Sequence, residues 1–393
     1  MPNTPDILLL QLFFIFVWAK IFGEVFERLS LPAVVGEILA GVVLGPYATN
    51  FINPSETVNS IAEVGAIFLL FTVGLQTSPK DLLRVGRESL RVAIAGVVVP
   101  FALGFSYMMV RHHPTPESIF VAAAMVATSV GVTARVLGDL DLLQTRAARI
   151  ILGAAVFDDI LGMLVLALVT GLNTVGGVKW WALMVVLVEA VGFAIFMMVF
   201  APRIIGRMRP AVSHMSTRNA PLILSLAICL GLSVAAEKIG MAAIIGAFFA
   251  GLAFAEYSPE WDLHRRVSAI TEFLAPYFFF TMGARLNLRV FTADILFAAG
   301  MISFLAIVSK VVGCGLVVWR QEGPETALRV GVGMTPRGEV GLIVALVGLQ
   351  MKLISDATYA IVIFMTAVTT MVAPPVLRYL FKPPAPPQAA VAD

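Results

Sequence analysis

The sequence predicts an all-α polytopic membrane protein of about 13 transmembrane helices, arranged as two inverted repeats of six with crossed discontinuous helices. Three observations lead there. The 393 residues are 59% hydrophobic and only 13% charged, with a mean hydropathy of +0.92, whereas a soluble domain carries about 25% charged residues. Apolar stretches close to the ~20 residues that span a bilayer core succeed one another along the chain, and the short alternating strands of a β-barrel are absent. Short patterns also recur at an offset of about 210 residues.

The elements follow in order. The start, MPNTPD, lacks a basic n-region, so residues from Ile7 onward read as a first span rather than a cleaved signal. The spans run over 6–27, 32–46, 57–77, 91–110, 117–139, 146–171, 179–203, 217–237, 240–256, 267–284, 293–319, 324–349 and 356–380. The closing FKPPAPPQAAVAD reads as a disordered Pro/Ala tail. With these spans, 18 Lys and Arg fall in loops on one side and six on the other, while Lys20, Lys310 and Arg337 lie inside spans. That bias places the N-terminus outside and the C-terminus in the cytoplasm. The net charge of +2 gives no reason to expect a nucleic-acid partner, and Cys229 and Cys314 sit in apolar spans as packing residues.

Residues 27–41, ERLSLPAVVGEILAG, match 237–251, EKIGMAAIIGAFFAG. LLFTVG at 69–74 matches FFFTMG at 278–283, with Glu63 and Glu272 at like distances before them, and VGV at 130–132 faces VGL at 340–342. Equivalent spans are seven apart, an odd number, so the two copies must be inverted, with span 7 as connector. Inverted repeats are typical of secondary transporters, whose sites lie near the midplane where helices break.

Two such breaks are predicted. Span 5 contains A-T-S-V-G-V-T at 127–133, and span 12 contains G-V-G-M-T-P-R-G-E-V-G at 331–341. Gly, Thr and Pro at this depth free backbone groups that lipid cannot satisfy, although small residues also serve plain helix packing. Helix ends meeting at mid-membrane would aim carbonyls and dipoles at a small cation. Asp158 and Asp159 stand at the centre of span 6. An intramembrane carboxylate costs on the order of 3 kcal/mol and faces protein or a wet cavity. A single such acid could be structural glue, but neighbours on a helix point about 100° apart and cannot share one partner. Lys310, deep in span 11, is a basic partner for one of them. Arg337 and Glu339 in the second break are expected to form a structural charge pair. Glu24, Glu37, Glu63, Glu189 and Glu272 read as solvated or hydrogen-bonded, and His112 and His113 as loop residues. No P-loop, zinc spacing or Ser/His/Asp arrangement is present, so neither an enzyme nor a cofactor is expected.

The stretches A-T-S-V-G-V-T-A-R-V-L at 127–137, V-F-D-D at 156–159, S-K-V-V-G-C-G at 309–315 and P-R-G-E-V-G-L-I at 336–343 together resemble the NapA-type bacterial sodium/proton antiporters, in the second branch of the monovalent cation:proton antiporter superfamily. The stretch G-E-I-L-A-G-V-V-L-G-P at 36–46 is shared with Kef-type potassium systems. The resemblance implies a homodimer in a bacterial inner membrane. It implies a dimerisation domain from 1–84 and 214–290, a core domain from 85–175 and 291–381, a linker helix at 176–213 and a tail at 382–393. By position, Asp159 resembles the carboxylate that binds the cation and Asp158 the one paired to Lys310, with Thr128 and Ser129 near the ion. Phe157 replaces a Val common in sodium-type relatives, which leaves potassium open, while the intact Asp-Asp favours sodium.

The expected function is exchange of Na+ or Li+ for H+ by competition at Asp159, electrogenic through the Asp158–Lys310 pair, with the core moving in an elevator-like alternating access. The alternatives are a Kef-like K+/H+ antiporter and, further off, a sodium-coupled organic-solute carrier. A channel does not need inverted halves with broken helices. An intramembrane aspartyl protease needs its two acids on facing helices.

Overall fold

A computed structural model describes residues 4–29, 31–78, 80, 84–172, 180–213, 219–239, 242–286 and 292–381. The expected tail at 382–393 lies outside these residues. Among the described residues every regular element is helical. The chain opens with α1 (Thr4–Arg28), the short α2 (Ala33–Leu44) and α3 (Glu56–Leu75). Ser55 caps α3 by accepting from the Val58 amide. Next come α4 (Gly86–Val110), α5 (Thr115–Val126), α6 (Val130–Asp139) and α7 (Arg146–Leu172). α8 (Trp180–Ile195) passes through a π-helical turn at Phe196–Phe200 into α9 (Ala201–Ser213). The second half holds α10 (Ala220–Lys238), α11 (Ala243–Phe254), the single turn α12 (Ser258–Trp261), α13 (Leu263–Ala284), α14 (Ala293–Gly333), α15 (Glu339–Gln350) and α16 (Asp356–Leu380).

Among the described residues, eight segments are long and apolar enough to cross a membrane, one of them the interrupted α5–α6 stretch Thr115–Asp139, and α2, α11 and residues 340–349 are shorter apolar helices. α2 and α11 have 12 residues each, about 18 Å of helix against a core of about 30 Å. The expected eleventh span and the start of the twelfth are the two parts of α14, which Gly323 divides: its φ of 80° is not helical, suits a residue without a Cβ and is followed by Pro324. The rest of the twelfth span is α15. The chain is thus a multi-pass membrane protein whose helices fall into two packing neighbourhoods. α1, α2, α3, α10, α11 and α13 lie against one another, and α4, α5, α7, α14, α15 and α16 form the other group, with α6 touching both.

Close approaches recur at the offset seen in the sequence. A methyl group on Gly36 would overlap the Phe22 carbonyl, and one on Gly246 the Leu232 carbonyl. Gly41 is pressed against the Phe280 carbonyl in the way that Gly251 is pressed against that of Phe71. Each contact reappears 209 or 210 positions along, and only glycine lets backbones meet so closely.

Candidate functional site

The site grows from two interruptions in the helices. α5 ends at Val126 and α6 begins at Val130, because Ala127 (φ −57°, ψ 138°) and Ser129 (φ −89°, ψ 104°) are extended. α14 ends at Gly333 and α15 begins at Glu339, with Pro336 between them unable to donate an amide. Buried backbone groups must still be paired, and the breaks pair one another. The Ser129 amide donates to the Pro336 carbonyl at 2.7 Å. The Thr133 hydroxyl donates to the Gly333 carbonyl at 2.7 Å and Thr128 to the Met334 carbonyl at 3.4 Å. Gly338 packs directly on Ser129, where a methyl would come within 2.6 Å of Oγ.

Arg337, fully buried, ties the breaks to their surroundings. Its guanidinium donates to the carbonyls of Met125 at 2.9 Å and Ala306 at 3.0 Å, and to that of Thr335. The Thr370 hydroxyl donates to the Arg337 carbonyl at 2.5 Å. A cation is thereby fixed on carbonyls near the C-terminal end of α5, where the helix dipole is negative. The Glu339 side chain, expected as the partner of Arg337, lies outside the described residues. The carbonyl acceptors were not foreseen; the signal available was an Arg beside Pro in a predicted break, where unpaired carbonyls accumulate.

The acid pair lies midway along the 27 residues of α7. Lys310 Nζ of α14 is 3.2 Å from Asp158 Oδ1, with the two side chains 0% and 2% exposed. Asp159, one residue on and about 100° round the helix, is half-buried. One turn beyond Asp158, Gly162 approaches Val340 in the first turn of α15, which brings the acids beside the second break. Gly96 of α4 completes the enclosure: a methyl there would stand 3.0 Å from Lys310 Nζ, 3.1 Å from Cys314 Sγ and 3.6 Å from Asp158 Oδ1. Sequence reasoning passed over Gly96, one glycine among many in apolar helices.

The other membrane acids separate by environment. Glu24, Glu63, Glu189 and Glu272 are exposed. Glu37 is 1% exposed and accepts from Lys20 at 3.4 Å. Of the loop histidines, His112 is exposed, while His113 Nδ1 lies 3.2 Å from Glu117, which also accepts from the Thr358 hydroxyl.

The family model described as "Sodium/hydrogen exchanger, transmembrane" matches residues 12–382. The chain is similar to the high-affinity Na+/H+ antiporter NhaS3 of Synechocystis, 35% identical over 415 residues that cover 95% of this chain and 90% of that protein. It is 32% identical over 377 residues to the Na+/H+-K+ antiporter GerN of Bacillus cereus, covering 94% and 95%. A Na+/H+ antiporter of Enterococcus hirae is 30% identical over 370 residues, covering 94% and 96%. The structure of the sodium proton antiporter MjNhaP1 from Methanocaldococcus jannaschii superposes with a TM-score of 0.65 at 18% identity, covering 94% of this chain and 96% of that one, a likeness of fold.

Proposed function

The chain belongs to the sodium/hydrogen exchanger family, and on that premise we propose that Asp159 is the carboxylate for which Na+ or Li+ and H+ compete. The protein is a transporter, not an enzyme. A single carboxylate binds a cation or a proton, never both, and that exclusion alone couples the two fluxes. Thr128 and Ser129 add neutral oxygens, the ligand type a hard cation takes. The Ser129 hydroxyl is buried and has no hydrogen-bond partner among the described residues. Asp158 holds Lys310, and a cation that displaces Lys310 and its proton makes the exchange two protons for one charge, hence electrogenic. Arg337 offsets the carbonyl ends at the breaks, with Glu339 as its expected companion.

The observation that carries this reading is the dry Asp158–Lys310 pair beside two mutually bonded breaks. Intramembrane ionisable groups mark ion pathways. The architecture proposed with it has about 13 spans in two inverted repeats, supported by the glycine contacts that recur at 209 or 210 positions. The two packing neighbourhoods support a dimerisation domain (1–84, 214–290) and a core domain (85–175, 291–381), joined by the linker 176–213. We further propose a homodimer in a bacterial inner membrane, N-terminus outside and C-terminus cytoplasmic, whose core slides past the dimer domain.

The relatives do not favour the Kef-type alternative. One of them carries potassium in its name, which keeps K+ in the tests as a second cation. In inside-out vesicles with an imposed pH gradient, Na+ or Li+ should collapse the gradient, and Asp159→Asn should abolish that collapse. Exchange that persists in Asp159→Asn removes this residue from the mechanism. A series with K+ added, repeated under a membrane potential, reads selectivity and electrogenicity together.

A further inference from the structure

The ion site leaves unused a group of arginines at one end of α4 and α14. These helices run antiparallel in contact: Cys314 Sγ lies 3.6 Å from the Val92 carbonyl, and Lys310 faces Gly96. Counting along each helix from these contacts puts Trp319 and Arg320 level with Gly86 and Arg87. Arg87 and Arg91 are exposed, and they share a stripe of about 60° with Ile94 and Val98, which are 46% and 58% exposed. On α14 the half-exposed Val312, Leu316 and Trp319 lead to Arg320, also exposed. Since the helices run in opposite directions, right-handed winding turns both stripes to the same side of the pair.

Two independent features set the depth of this surface. The 19 residues between Arg91 and Arg111 contain no charge, about 28 Å of helix, close to the thickness of the hydrocarbon core. Arg91 therefore stands at its edge. Trp319 marks the same boundary, where indole rings collect.

The charge there is not needed locally. Arg87 and Arg91 occupy the first two turns of α4, where the helix dipole disfavours cations. Of the neighbouring acids, Glu322 is engaged with Arg146 at 2.6 Å and Glu88 stands in the first turn of α4 itself, yet among the described residues none of Arg87, Arg91 and Arg320 is in an ion pair. Three unpaired guanidiniums above an apolar, lipid-exposed face complement a phosphate above acyl chains. We propose that Arg87, Arg91 and Arg320, with Trp319, form a binding site for the headgroup of an anionic phospholipid on the membrane edge of the α4–α14 pair. The site is distinct from the acid pair, lying along α4 beyond Gly96 toward the helix's N-terminal end. It fixes a lipid to the same helices that hold Lys310.

The test uses the full chain with Trp319 as sole tryptophan, the other four replaced by phenylalanine, reconstituted in phosphatidylcholine vesicles. Chain-brominated phosphatidylglycerol should quench Trp319 at lower mole fraction than brominated phosphatidylcholine. That preference should fall by roughly fivefold per arginine removed, and vanish in R87Q/R91Q/R320Q. R87K/R91K/R320K, which keeps the charge, should retain most of it and guards against a variant that fails to insert. Equal quenching by the two lipids in the chain with its arginines intact overturns the proposal. So does an undiminished preference in the triple glutamine variant.

Discussion

Two lysines inside apolar helices face carboxylates at nearly the same distance, and their surroundings differ sharply. Lys20 of α1 reaches Glu37 of α2 at 3.4 Å, with Lys20 40% exposed. Lys310 reaches Asp158 at 3.2 Å, with neither side chain more than 2% exposed. Lys20 and Glu37 also line a cavity of about 600 Å³ together with Arg135, so Lys20 is open to water and Arg135 stands as a second cation for the buried Glu37. Among the described residues Lys310 and Asp158 have each other as their one ion-pair partner, with the buried Arg337 as the next charge acting on Asp158 and Gly96 and Cys314 closing the space around them. Distance does not rank the two pairs; solvation does. In a dry site a charge must be paired or neutralised, which is the constraint that the proposed proton-coupling role of the inner pair rests on.

The largest effect expected is from breaking the dry pair. Lys310→Met leaves Asp158 buried without its counter-charge and should cost about 3–5 kcal/mol, read as a fall in the thermal unfolding midpoint. The double variant D158N/K310M removes both charges and should recover much of the loss, since the penalty lies in the orphaned partner. If Lys310→Met and Lys20→Met lower the midpoint equally, the contrast between the pairs is wrong. In the double variant, any remaining transport should lose its voltage sensitivity if Lys310 carries the second proton.

A smaller effect should come from the wall of the dry pair. Gly96→Ala puts a methyl 3.0 Å from the Lys310 ammonium, and overpacking of this kind costs about 1–3 kcal/mol. Gly86→Ala, on the same helix, meets nothing within 4 Å and should stabilise by up to about 1 kcal/mol through helix propensity. Equal midpoints for the two variants would mean that the packing around Lys310 yields freely.

These residues also show what the sequence could and could not reveal. Asp158, Asp159, Lys310 and Arg337 were legible because charge in an apolar run is costly and draws attention wherever it stands. The breaks were legible because Gly, Thr and Pro were concentrated at mid-span. Gly96 was not, since its importance lies in what stands opposite it on another helix. The acceptors of Arg337 were invisible for a different reason: Met125 and Ala306 contribute carbonyl oxygens, which every residue possesses. Span boundaries were legible too: α2 and α11 fall inside the expected 32–46 and 240–256, and the non-helical Gly323 divides α14 between the expected spans 293–319 and 324–349.

The smallest effect, and the most discriminating for the comparison, belongs to the wet pair. Lys20→Gln removes a charge that is 40% exposed, so solvent screening holds its contribution to about 0–1 kcal/mol. Glu37 is well buried, but Arg135 lines the same cavity and can take up its charge once Lys20 is gone. Salt should therefore erase what difference there is. Raising ionic strength from about 0.01 M to 1 M shortens the screening length from roughly 30 Å to 3 Å, and the midpoints of Lys20→Gln and the parent chain should converge. The deficit of Lys310→Met should survive the same change, because ions do not enter its site. A deficit in Lys20→Gln that persists at high salt would show that Glu37 depends on Lys20 as Asp158 depends on Lys310, and that the cavity does not solvate it.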